Sequence, residues 1–117
     1  MTRIAVPTLF FILLIAWGCS APRGPLVVTD PDPSVKIPAI KKSVETHDTK
    51  AAAQLVKDLD SDDPAVRFYA IDALRRLTGQ TFGYVYYEDE EERADAVKKW
   101  QQWLSTRESD TTQPSVP

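Results

Sequence analysis

Asp63-Pro64 and Gly79 bracket AVRFYAIDALRRLT, a stretch whose apolar residues recur at helical spacing, and no other feature constrains the fold as much. An aspartate can accept hydrogen bonds from the exposed N–H groups of a first helical turn. Proline suits the first helical position, where its missing N–H costs nothing. Glycine just past the last periodic residue is a common helix stop. Between these signals Val66, Ala70, Ala73, Leu74 and Leu77 form one apolar face, with Ile71 and Phe68 on its flanks. Such a helix must bury that face against partners, and its neighbours in sequence have the same period. Asp48 is expected to cap TKAAAQLVKDL, whose face is Ala52, Leu55, Val56 and Leu59. Before it, KIPAIKKSVETH places Ile37, Ile40 and Val44 at i, i+3 and i+7. A last helix is predicted over about Glu90–Thr106, with acids first and Lys98, Lys99 and Arg107 late, which suits the helix dipole. Its apolar set is Ala94, Val97, Trp100 and Leu104, with Trp103 beside it. No strand pattern competes, so the fold class is all-α with about four helices.

The two ends read differently. Ile4–Trp17 is almost wholly apolar and follows Arg3, the form of a secretory signal. It falls short of the roughly 20 residues a membrane span needs, and Pro7 interrupts it. Ala16-Trp17-Gly18-Cys19 resembles a bacterial lipobox. Gly18 matches, whereas Ala16 replaces the usual leucine and Trp17 a small or β-branched residue. Cys19, the only cysteine, is therefore the expected lipidation site, with residues 1–18 removed as a lipoprotein-type signal peptide. The alternative is ordinary cleavage on Ala16-x-Gly18, which would give a secreted or periplasmic chain with a free thiol. Residues 19–35 contain four prolines and read as a flexible tether reaching roughly 50 Å. Residues 36–106 form the expected domain, and 107–117 are polar and predicted to be disordered.

Without Arg3 the mature chain carries 13 of the 14 basic residues against 17 acids, a net charge of −4. That balance argues against nucleic acid, whose affinity comes from neutralised phosphates. One cysteine permits no internal disulfide, and the absence of asparagine permits no N-glycosylation.

The stretch LVKDLDSDDPAVRFYAIDALRRLTG resembles a HEAT repeat: a first helix, an acidic turn, then D-P-x-V-R-x-x-A-x-x-A-L. The matching residues are Asp63, Pro64, Val66, Arg67, Ala70, Ala73 and Leu74. The resemblance implies that Arg67 pairs with an acidic turn residue, Asp60 or Asp62. LTGQTFGYVYYEDEEERADAVKKWQQWL is similar to the C-terminal end of small exported bacterial HEAT-repeat proteins, where an aromatic turn precedes a Trp-bearing helix. Together the resemblances cover about residues 48–104 and imply a protein-binding scaffold. Only about one and a half repeats fit, while solenoids generally need three or more. Phe82, Tyr84, Tyr86 and Tyr87, turned by Gly79 and Gly83, are expected to fold over Trp100 and Trp103 and close the open end. Some of these rings could instead stay exposed as a partner anchor.

No reaction is legible. Asp58, Asp60 and Asp62 imitate the start of a calcium loop, but Asp63 stands where its glycine belongs and Tyr69 where its glutamate belongs. The run Glu88–Glu92 reads as a solvated helix start. His47 is the only histidine, so no transition-metal site or Cys/His pair can be assembled. Ser43, Ser61 and Ser105 have no patterned base. The chain is therefore expected to be no enzyme, with no catalytic, cofactor or metal site. The expected function is a membrane-anchored protein–protein interaction module of the bacterial cell envelope, an adaptor or assembly component. Its membrane contact is the lipid on Cys19, and its protein contacts are Phe82, Tyr84, Tyr86, Tyr87 and Trp103, with Phe68 and Tyr69 next. The alternatives are a self-associating structural component, hence a homo-oligomer, or a secreted binding protein without lipid.

Overall fold

Two Asp-Pro pairs each start a helix. The computed structural model describes residues 27–112, which hold four α-helices and no strand: α1 Pro33–Glu45, α2 Ala52–Asp58, α3 Pro64–Thr78 and α4 Glu90–Thr112. The all-α class is thus observed. Asp63 accepts from the N–H groups of Ala65 and Val66, Pro64 succeeds it, and Gly79 ends α3 at φ 77°. Asp32 and Pro33 do the same for α1, Asp32 accepting from the Ser34 N–H at 2.8 Å. Helix α1 therefore starts three residues before the expected domain boundary, and Val28 packs against the core. The prolines read as linker punctuation include one that initiates a helix. Pro38 lies inside α1, where it removes one backbone hydrogen bond.

A left-handed residue closes α1. The Asp48 N–H donates to the Ser43 carbonyl and the His47 N–H to that of Val44, with His47 at φ 52°. This is a Schellman closure with histidine in the position that glycine usually takes. Asp48 then caps the short 3-10 turn Thr49–Ala51 that leads into α2.

Helix α3 packs between α1 and α2, and α2 packs between α3 and α4. The core is Ile40 from α1, Leu55, Val56 and Leu59 from α2 and its end, and Ala70, Ala73 and Leu74 from α3. Tyr84 of the connection and Ala96, Val97 and Trp100 of α4 complete it. The expected faces of α2 and α3 are the observed ones. On α4 the face is rotated: Ala96 is buried and Ala94 is exposed.

Lys36 reaches from α1 to the end of α2, where its Nζ meets Asp58 Oδ1 at 2.7 Å; the two side chains are 12% and 3% exposed. Gln54 Nε2 donates to the same oxygen at 3.1 Å. Replacing one partner of a buried pair strands the other charge, so this contact fixes how α1 seats on the body.

Helix α4 runs to Thr112, beyond the predicted disordered boundary at 107. Its last turns keep their hydroxyls inside the helix: Ser105 and Thr106 donate to the Gln102 carbonyl, Ser109 to Ser105 and Thr111 to Arg107. The Arg107 guanidinium lies 4.7 Å from the centre of the Trp103 ring, a further contact within this extension.

Candidate interaction surface

The connection between α3 and α4 is held by two arginines and one tight turn. Arg67 on α3 donates from Nη1 to the carbonyls of Ser61 and Asp62, at 2.7 and 3.1 Å, and from Nε to that of Tyr86 at 2.9 Å. The expected partner was an aspartate carboxylate; the observed acceptors are backbone carbonyls. Helix α2 has just ended there, and its closing turn leaves carbonyls that a guanidinium fork can satisfy several at a time. Arg67 thereby links the α2–α3 turn to the aromatic connection.

Arg93, on the first turn of α4, performs the matching role from the other side. It is 8% exposed and donates from Nε to the carbonyls of Glu88 and Asp89, and from Nη1 to Leu59 at 3.0 Å. The Tyr84 hydroxyl donates to the same Leu59 carbonyl at 2.6 Å. Burial raises the Tyr84 phenol above the usual 10.0, against a partial lowering by the Arg93 hydrogen bond and charge. Arg93 is not among the residues expected at the site. Its spacing to Val97 and Trp100, i+4 and i+7, puts an arginine on an apolar face, the one local signal of its role.

Residues 81–84 make the turn. The Tyr84 N–H donates to the Thr81 carbonyl at 3.0 Å, with Phe82 at φ 51° and Gly83 at φ 73°. Two successive left-handed residues suit glycine, not phenylalanine. Phe82 is held there by its ring, edge-on to Trp100 at 4.8 Å, while Trp100 Nε1 donates to the same Thr81 carbonyl.

The expected contact rings therefore separate. Tyr84 is 6% exposed and bonded inside, so it is core and no partner contact. Phe82 is half-buried on Trp100 and closes the end of the fold. Trp103 is half-buried beside Trp100 on α4, apart from the outer rings, with Arg107 over it. Tyr86 and Tyr87 turn outward. Tyr86 meets Phe68 of α3 at 5.1 Å and Tyr87 at 5.2 Å, and Phe68 meets Tyr69 at 5.2 Å, every pair edge-to-face. The result is a strip Tyr69–Phe68–Tyr86–Tyr87. Phe68 is 42% exposed and Tyr87 74%, while Tyr69 and Tyr86 are half-buried beneath them.

The strip has charged ends. Lys41 Nζ lies 4.6 Å from the centre of the Tyr69 ring. At the far end Tyr87 leads directly into Glu88–Glu92, where Asp89 caps α4 by accepting from the Glu92 N–H, and Glu90, Glu91 and Glu92 point to solvent. The strip is a shaped surface whose residues pair no nucleophile with a base. Among the described residues no group of three or more His, Cys, Asp or Glu is placed to hold a metal ion, and no helix is long and apolar enough to cross a membrane. Asp63 and Pro64 start α3, and Val66, Ala70, Ala73 and Leu74 lie along its buried face. Cys19 and the apolar stretch before it lie outside the described residues.

Comparison of the chain with protein-family models, with curated proteins and with solved structures finds no match.

Proposed function

We propose that this chain is an adaptor of the bacterial cell envelope, tethered to a membrane by a lipid on Cys19, which grips a protein partner with the strip Tyr69–Phe68–Tyr86–Tyr87. The observation that carries the reading is a pair of exposed rings, Phe68 on α3 and Tyr87 on a connection pinned from below by two arginines. Tyrosine and phenylalanine present large contact areas with few torsions to freeze, and a strip already rigid gives up little entropy on binding. The partner segment that suits it has apolar or aromatic residues for the rings, with basic residues next to them for Glu90–Glu92. The HEAT-like pattern on α3 agrees with a scaffold role. The lipobox-like Ala16-Trp17-Gly18-Cys19 supplies the membrane attachment in this reading.

The test replaces Phe68 and Tyr87 together by alanine in the membrane-bound chain. Both rings are exposed, so the fold should survive, checked by circular dichroism. A partner cross-linked to the native chain at a photoreactive residue in place of Tyr86 should be lost from the double variant. Retention of that partner would overturn the reading. An intact mass beginning at Cys19 plus an acyl-glyceryl group, absent from Cys19→Ser, tests the tether separately.

A further inference from the structure

The strip leaves a concave feature of the molecule unused. A cleft of about 640 Å³ opens where the start of α2, the end of α3 and the last turns of α4 diverge. That volume lies within the roughly 300–1,000 Å³ of ordinary small-molecule sites. Its apolar lining is Ala52, Ala53, Leu77, Trp103 and Leu104. On α4 the lining positions are 103, 104, 107, 108 and 111, a single helical face about 12 Å long. Arg107, Glu108 and Thr111 belong to the portion of α4 that runs past the expected domain.

The charges at the cleft have a sign. Lys50 and Arg107 contribute two cations and Glu108 one acid, so the lining is net positive in a chain that is net negative. Arg107 is seated on the Trp103 ring, which places a cation directly beside the apolar lining. Long, lined by apolar side chains and edged by two cations against one acid, the cleft complements one kind of molecule. We infer that it binds a single-chain amphiphile with an anionic head, of which a medium-chain fatty acid is the simplest. The alkyl chain would lie against Leu77, Leu104 and Trp103, and the carboxylate would meet Arg107 and Lys50. This inference is independent of the partner strip, which lies toward the opposite end of α3.

The full chain, labelled with nitrogen-15, tests it. Trp103 lines the cleft and Trp100 is wholly buried, so their indole N–H signals report separately. Decanoate, kept below its micelle concentration, should shift the Trp103 signal saturably and leave Trp100 nearly still. Burial of each methylene should tighten binding about fourfold, so decanoate should bind about fifteenfold better than octanoate. Decyltrimethylammonium should bind at least about tenfold more weakly than decanoate, and Arg107→Glu should reverse that order. Ala53→Trp, at an exposed position of α2, should fill the cleft and abolish the response without lowering the melting temperature. Equal binding of the cationic amphiphile would overturn the inference. So would a Trp103 shift that persists in Ala53→Trp, which would place the amphiphile elsewhere. A concentration-dependent dimer that protects Trp103 would overturn it too, by assigning the cleft to a second copy of the chain.

Discussion

The two halves of the connection between α3 and α4 carry similar aromatic residues to opposite ends. Phe82 and Tyr84 turn inward, where one ring covers Trp100 and the other bonds Leu59. Tyr86 and Tyr87 turn outward to join Phe68. Composition does not distinguish the halves. The backbone does: the left-handed turn at Phe82 and Gly83 reverses the chain over α4, and Arg67 and Arg93 anchor the carbonyls of Tyr86, Glu88 and Asp89 beyond it. An aromatic cluster can therefore complete a small core and leave an exposed strip at once, provided that buried donors hold the backbone between them.

If the inner half is structural, breaking it should cost stability steeply. Trp100→Ala removes the ring on which Phe82 rests and should destabilise by about 3–5 kcal/mol in urea unfolding. Arg93→Met keeps the side chain long and apolar but strips three carbonyls of a charged donor, and should cost about 2–3 kcal/mol. Tyr84→Phe should cost about 1–1.5 kcal/mol at pH 7. Because the folded-state pKa of Tyr84 is raised, its contribution is full below the ordinary value of 10.0 and fades as pH climbs above it. The gap between native chain and Tyr84→Phe should accordingly be constant from about pH 6 to 9 and shrink beyond 10; a constant gap to pH 11 would deny the burial.

The left-handed residues test the same contrast in another way. Phe82 and His47 adopt nearly the same φ, yet one ring is packed and the other is exposed. His47→Gly should therefore stabilise by up to about 1 kcal/mol, whereas Phe82→Gly should destabilise, since relief of backbone strain is outweighed by loss of the ring on Trp100. The outer half should show the smallest effect: Tyr87→Ala should move the unfolding free energy by less than about 0.5 kcal/mol while weakening the partner contact. A large stability loss there would return Tyr87 to the structural half.

The apolar faces of α2 and α3 and the caps of α3 were legible because they are local signals, whereas Asp48, expected to cap α2, caps the 3-10 turn before it. The start of α1 was legible in principle, since Asp32-Pro33 repeats Asp63-Pro64, but the surrounding prolines masked it as linker. The end of α4 was not: a Ser/Thr-rich stretch looks like tail until its hydroxyls are seen bonded to the preceding turn. The interaction strip was half legible. Its rings were named, but which of them face solvent depended on Phe68 and Tyr86 meeting across eighteen residues of chain.

The all-α class, the caps of α3 and the buried faces of α2 and α3 can all be read from the amino-acid order, because each is written within one or two helical turns. The roles of Arg67 and Arg93, the pairing of Lys36 with Asp58 and the division of the aromatic rings arise only when the helices pack. Those outcomes depend on which groups of one element are brought beside the charges and rings of another, and on which backbone carbonyls are left without partners. No local pattern encodes that, since the acceptors belong to the ends of other elements.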